Sequence, residues 1–391
     1  MAIEDDEPKD REVWSNVARF WYNKAADKSP SVGRLYHHLA ILARPYTLEQ
    51  LSLYARSLTC ITPFESARGS IMTLFNPILQ GKDSVNRRGS SFEVVLIKVH
   101  AILFTSNPLQ LSDSFDAAFS ELSKEGLFES HVRKANAKFK EIGSYAAVSN
   151  LAALLEYGIS KEGLSKPNLR LAIEDAAKAK EDSQKASPNS KSNGPEDLPP
   201  SAGPPQMDIE SVGDSLPESS ALFLSRASRL AFWIFAMALE RLRDRNVYPL
   251  VHIYLTFLWS LRDVEKAWVL IGRDVPWESI CSFLNILFLE FETMKAKDLA
   301  KAHARLRKSD FPVPEEGIGR PLWEDFIMRG QLYTQRYFTL TWFSDSMIDD
   351  DERGVEMPSM NELRVERMLW VAHGIASVCL SSSHSHDVLI I

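Results

Sequence analysis

Two kinds of side chain in this sequence have types and spacing suited to chemistry: basic residues near the N-terminus, and aromatic residues interleaved with them. Between residues 11 and 90 there are eleven Lys/Arg against five Asp/Glu, a local net charge of +6 in a chain whose formal charge is −7. Arg19, Lys24, Arg34, Arg44, Arg56 and Arg68 recur along segments with helical periodicity. Some of them can therefore project into one groove and contact the phosphates of RNA, DNA or a phosphorylated peptide. Arginine suits that task because its planar fork donates two parallel hydrogen bonds to one phosphate. Trp21, Tyr36 and Tyr54 lie among these cations and offer ring faces on which unpaired bases stack. The same residues at the same spacings also serve a solvated helix face and packing between helices, so both readings stand at this point.

Other reactive types do not assemble into a recognisable site. The chain has no phosphate-binding glycine loop, no H-E-x-x-H, no G-x-S-x-G and no spaced His/Cys set. Neighbours His37 and His38 point to different helix faces and cannot both be core. His384 and His386 sit in a serine-rich tail. Cys60, Cys281 and Cys379 are too far apart in sequence for a metal knuckle, a disulfide framework or a redox pair, and read as reduced buried thiols. We read the chain as non-catalytic and expect neither a cofactor nor a metal.

Helices must position the basic residues. Apolar residues recur at spacings of three and four in nearly every segment, and strict alternation, the mark of a half-buried strand, is missing. Val13, Val17, Phe20, Trp21 and Ala25 share one face of a first helix. Leu35, Tyr36, Leu39, Ala40, Leu42 and Ala43 line a second. A third starts near Thr47, a candidate N-cap with Gln50 at the capping-box position, and a fourth opens at Pro63. Longer helices follow over residues 91–104, 112–124 and 131–157. Residues 181–217 hold seven of the twenty prolines and little apolar content, so a disordered linker is expected there. Helices over 219–243, 247–261, 277–293 and 296–308 then form antiparallel hairpins, and the stretch from Pro321 onward reads as less regular. The expected organisation is a tetratricopeptide-like array over residues 1–180, the linker 181–217, a helical-hairpin domain over 218–345, and an acidic loop with a C-terminal helix or tail over 346–391.

The most apolar runs, 230–239, 247–261 and 280–291, fall short of the roughly 20 residues that span a bilayer, so no membrane contact is expected. No Asn is followed two residues later by Ser or Thr, and the acidic start has no secretory-signal pattern, so nucleus and/or cytoplasm is the expected location.

The stretch from Trp21 to Phe75 is more specific. It contains WYNKAADKSPSVGRLYHHLAILA, then LYARSL, then PFESARGSIMTLF. It resembles the 14-3-3-like, tetratricopeptide region of the family that holds the telomerase-activating Est proteins and the SMG adaptors of nonsense-mediated decay. Gly33, Tyr36, Leu39, Ala40, Leu42, Ala43, Tyr54, Arg56, Ser57, Pro63, Phe64 and Ala67 carry that likeness. A second one lies downstream, in PLWEDFIMRGQLY followed by Trp342 and Phe343. The resemblance, most like fungal-type members, implies an all-α solenoid and an adaptor that binds protein partners of the RNA-surveillance or telomerase machinery, RNA or single-stranded DNA, or both. It also implies an N-terminal truncation, because the family's fold begins with helices upstream of this match and Met1 lies only about ten residues before the resemblance starts, near Arg11. The family's phosphoserine pocket is therefore not carried over. The run Asp349, Asp350, Asp351 and Glu352 reads as a solvated loop rather than a metal cluster.

Overall fold

The computed structural model describes residues 8–44, 46–81, 91–105, 111–158, 169–185, 218–313, 320–339, 341–343, 353 and 355–379. Among these residues there is no named strand, only isolated bridges pairing Val32 with Thr62 and Cys60 with Gln331. The fold is all-α. Helices α1 (Pro8–Lys28), α2 (Gly33–Leu42), α3 (Thr47–Thr59), α4 (Ala67–Ser70), α5 (Met72–Leu79), α6 (Ser91–Thr105), α7 (Leu111–Leu122), α8 (Leu127–Ala135) and α9 (Phe139–Leu154) come first. Helices α10 (Leu169–Lys185), α11 (Glu218–Leu239), α12 (Tyr248–Leu261), α13 (Glu265–Ile271), α14 (Trp277–Met294), α15 (Leu299–Leu306), α16 (Trp323–Met328) and α17 (Pro358–Cys379) follow.

One row of helices runs α1, α2, α3, α9, α12, α17, each packed on the next, and α6, α11, α14 and α15 back it as a second layer. Small residues set the spacing within the row. Ala146, Ala147, Ala152 and Ala153 on α9 are buried where α3 and α12 flank it. Short side chains let backbones approach while their apolar surface still leaves water.

A buried hydrogen-bond chain ties the front of the molecule to the back. The Tyr157 hydroxyl lies 2.7 Å from His100 Nδ1, and His100 Nε2 lies 3.0 Å from Asn150 Oδ1. Asn150 Nδ2 donates to the Tyr254 hydroxyl (3.0 Å), which donates to the Ala231 carbonyl (2.9 Å). Because Asn150 presents an oxygen, His100 carries its proton on Nε2 and accepts from Tyr157 on Nδ1. Burial pushes the His100 imidazole down to about 4, so it stays neutral.

Several expectations from sequence need correction. Thr47 is not an N-cap: it lies inside α3, its hydroxyl is buried without a partner, and Tyr46 occupies the cap position with no side-chain bond. The fourth helix begins at Ala67 rather than Pro63 and breaks at Ile71. The long helix expected over 131–157 is two helices joined by a short 3-10 turn at Asn136, whose φ is +49°. The C-terminal stretch is more regular than expected, since α17 is a 22-residue helix with Val365, Met368, Leu369, Val371 and Ala372 in the core. One apolar stretch, Ala221–Leu239, is long enough to cross a bilayer, yet Ala227, Leu230, Ala231, Ile234, Phe235 and Ala238 pack inside the fold. The expected linker lies outside the described residues apart from 181–185, which end α10. The acidic run 349–352 and the tail histidines His384 and His386 also lie outside them.

Candidate nucleic-acid interface

The six basic residues singled out from sequence divide into two groups once folded. Arg56 points inward. Its guanidinium lies 4.0 Å from the centre of the Tyr36 ring, and Nη2 donates to the Phe326 carbonyl at 2.9 Å. Arg68 is half-buried over the Phe104 ring (4.8 Å) and donates to the Tyr157 carbonyl at 2.8 Å. That carbonyl belongs to a residue held at φ +49°, so Arg68 fastens an unusual turn. Arg19 pairs with Glu49 at 2.9 Å. Burial pushes the Glu49 carboxyl up and the Arg19 charge opposes it. Lys24 reaches over the Phe20 ring. Arg34 and Arg44 are exposed, at the start of α2 and just beyond its end, and Lys28 is exposed at the end of α1.

The aromatic candidates divide in the same way. Tyr36 and Tyr54 are buried, at 2% and 1% exposure, and so cannot offer a face to a base. Trp21 is 66% exposed, beside Phe20 and Trp14 on the same helix. His37 is buried and His38 half-buried, with the His38 ring stacked on Tyr22 at 4.9 Å.

The sequence motifs meet each other rather than a ligand. The Tyr36 hydroxyl donates to the Pro30 carbonyl at 2.6 Å, with the Arg329 carbonyl at 3.3 Å. Thr59 donates to Gln331 Oε1 at 2.8 Å, and Ile61 N–H donates to the Gly330 carbonyl at 3.1 Å. Thus the loop after α16, from the downstream motif, docks on α2, α3 and their connections. Gly330 permits this approach, and Gly33 permits that of α2 to α3 and the segment after it. A Cβ on Gly33 would stand 2.4 Å from the Ser57 carbonyl oxygen, and one on Gly330, at φ +79°, would stand 1.8 Å from that of Pro30.

Docking adds cations that the sequence reading missed. Arg329 stacks on Phe343 (4.1 Å) and approaches Asp27 at 3.7 Å, while Arg353 stacks on Phe326 and pairs with the same Asp27. Burial lowers the Arg329 pKa and Asp27 offsets part of that. Two guanidiniums therefore share one carboxylate at the end of α1, a few residues from Lys28 and Arg34. No spacing rule links positions 27, 329 and 353; only the docked motif brings them together.

A second joint holds α17 in place. Glu324, fully buried, receives Arg364 Nε at 2.6 Å and Nη2 at 2.9 Å, and His252 Nδ1 lies 2.9 Å from it. Asp325 takes Arg367 Nη1 at 2.7 Å on both oxygens, together with the Trp342 indole N–H and the Leu322 N–H. Arg367 lies 4.2 Å from the Phe311 ring centre and 4.6 Å from that of Trp342. Burial alone would push the Glu324 carboxyl up, but the Arg364 charge and the bonds from His252 and Arg364 hold it far below the usual carboxylate range. Among the described residues no group of three or more His, Cys, Asp or Glu is placed to hold a metal ion. The Cys60 thiol is buried, and burial pushes it up to about 11.

This class of structure is an all-α helical array that keeps Lys28, Arg34 and Arg44 in solvent. Residues 18–150 match the family model described as the Est1 DNA/RNA binding domain, about a third of the chain. A 74-residue stretch is 42% identical to the telomerase-binding protein EST1A of Danio rerio. That similarity covers 18% of this chain and 5% of the relative's length.

Proposed function

We propose that this chain is a non-catalytic adaptor of the Est/SMG type that binds nucleic acid and protein partners in nonsense-mediated mRNA decay or telomere maintenance, in the nucleus, the cytoplasm or both. One observation carries the reading. The span that matches the Est1 DNA/RNA binding domain is the span whose surface keeps Lys28, Arg34 and Arg44 in solvent, while Arg56 and Arg68 hold the fold. Contact would be made through phosphates, by Lys28, Arg34 and Arg44. EST1A is named as a telomerase-binding protein, so telomerase components are the first protein partners to test.

The experiment is RNA and single-stranded DNA binding measured across salt concentration. Phosphate contacts make log K fall linearly with log salt, by about 0.7 per neutralised phosphate on a single strand. Substituting Lys28, Arg34 and Arg44 together with Ala should reduce that slope by about 2. Binding that is absent at low salt, or a slope that the triple variant leaves unchanged, would count against the reading. In that event the alternative is a scaffold that binds proteins alone, favoured by the exposed apolar side chains of α1, whose contacts respond little to salt.

A further inference from the structure

The link between α1 and α2 is Ser29-Pro30-Ser31-Val32, and Ser29 is exposed there between two exposed cations. Lys28 precedes it as the last residue of α1, and Arg34 follows it in the first turn of α2. The Val32 N–H donates to the Ser29 carbonyl at 3.2 Å and closes the link into a turn, so Lys28 and Arg34 flank the same few residues. Asp27, the neighbouring carboxylate, is already held by Arg329 and Arg353 and does not cancel them. The Ser29 hydroxyl makes no hydrogen bond among the described residues.

We propose that Ser29 is a phosphorylation site for a protein kinase that reads a proline directly after its acceptor, and that the phosphate shuts the nucleic-acid surface by neutralising Lys28 and Arg34. In the transfer the Ser29 oxygen bonds to the γ-phosphorus of ATP, the bond to the β-phosphate oxygen breaks with ADP as leaving group, and the hydroxyl proton goes to the kinase's base. Pro30 suits the acceptor in two ways: it has no N–H to tie up, and it disfavours helical backbone at the residue before it, so α1 ends there. The chain has three Ser/Thr-Pro pairs, starting at residues 29, 62 and 187. The backbone bonds of Ser29 are local, from its N–H to the Ala25 carbonyl (2.9 Å) and from Val32, so fraying the last turn of α1 releases it. Thr62 is instead bonded across to Ser31 and Gly33, and drawing it out would part α2 from the segment after α3. Ser187 lies outside the described residues.

A phosphate adds about 1.5–2 negative charges and three acceptor oxygens. The carbonyls at the end of α1 repel it, so it turns to the Lys28 ammonium and to the Arg34 fork, which suits a bidentate grip. These are two of the three side chains proposed above to contact phosphates of a strand. Occupied from within the chain, they release no counterions to RNA, and the residual negative charge repels it. The switch therefore rests on the proposed nucleic-acid binding, whereas the acceptor itself does not.

The test treats the full chain with ATP and, in turn, a cyclin-dependent and a mitogen-activated kinase, and maps phosphate by tandem mass spectrometry. Ser29 should carry it. The phosphorylated chain should bind a single-stranded RNA oligonucleotide at least about tenfold more weakly at about 0.1 M salt, with the slope of log K on log salt lower by about 1.4 and the two forms converging near about 1 M. Phosphatase should restore the parent's affinity. Ser29→Ala taken through the same kinase should keep that affinity and the parent's circular dichroism, which separates Ser29 from Thr62 and Ser187. No phosphate at Ser29 from either kinase, a Ser29-phosphorylated chain with the parent's affinity and slope, or a loss of binding that persists in kinase-treated Ser29→Ala would each overturn the proposal. A parent that binds no RNA at low salt, seen before any kinase is added, overturns the nucleic-acid proposal and the switch together.

Discussion

The surface of α1 and α2 and the joint between α16 and α17 use arginine in opposite ways. On the first, Arg34 stays in water; in the second, Arg364 and Arg367 have no solvent exposure and each grips a carboxylate. Arg56 shows that the division does not follow the halves of the chain, since it lies in the basic segment yet is 7% exposed. What separates the groups is the partner. An arginine with an aromatic face beneath it and a carbonyl or carboxylate at its fork belongs to the fold, whatever the local charge count suggests.

The comparison breaks first at Arg364. Arg364→Ala leaves Glu324 buried without its guanidinium partner, and the expected loss is about 3–5 kcal/mol of unfolding free energy in urea denaturation. If that variant melts like the parent, the joint is not what fastens α17. Next comes Gly330→Ala, which forces both a left-handed backbone and a collision with Pro30; we expect a loss of at least about 2 kcal/mol, read from the shift of the denaturation midpoint.

Acidification probes the interior without mutation. His100 is buried neutral with its pKa lowered to about 4, against about 6.5 when unfolded, so the unfolded chain binds the extra proton first. Its contribution is complete above about pH 6.5 and declines as pH falls toward 4, by about 1.4 kcal/mol per pH unit, or about 2 kcal/mol at pH 5. His131, lowered to about 4 chiefly by burial, has the same sign. The depressed Glu324 adds loss only below about pH 4.3, where the unfolded carboxyl begins to protonate. Equal stabilities at pH 7 and pH 5 would show that neither histidine is buried as described. At the small end, Arg34→Ala and Arg44→Ala should each change stability by less than about 0.5 kcal/mol; a larger loss from either would place it with Arg56.

The helical class was legible because a period near 3.6 runs through almost every segment, and the two motifs were legible because glycine, proline and aromatic positions recur in order. Their mutual docking was not. Nothing in LYARSL announces that Arg56 reaches the Phe326 carbonyl, 270 positions away. The apolar stripe of α1 was legible but not its surroundings, since Val13, Val17, Phe20 and Trp21 are exposed while the helix buries Ala26 and half-buries Tyr22. Periodicity identifies an amphipathic face without saying which partner covers it. Of the basic candidates, Arg34 and Arg44 stay in solvent, whereas Arg56 and Arg68 differ from them only in three-dimensional neighbours.

The docking of Gly330 and Gln331 against α3 also sets a timetable for synthesis. Residue 56 leaves the ribosome 270 positions before residue 326, an interval of roughly 15 to 50 seconds at 5–20 residues per second. Throughout that interval Tyr36 and Arg56 have been translated but the loop that covers them has not.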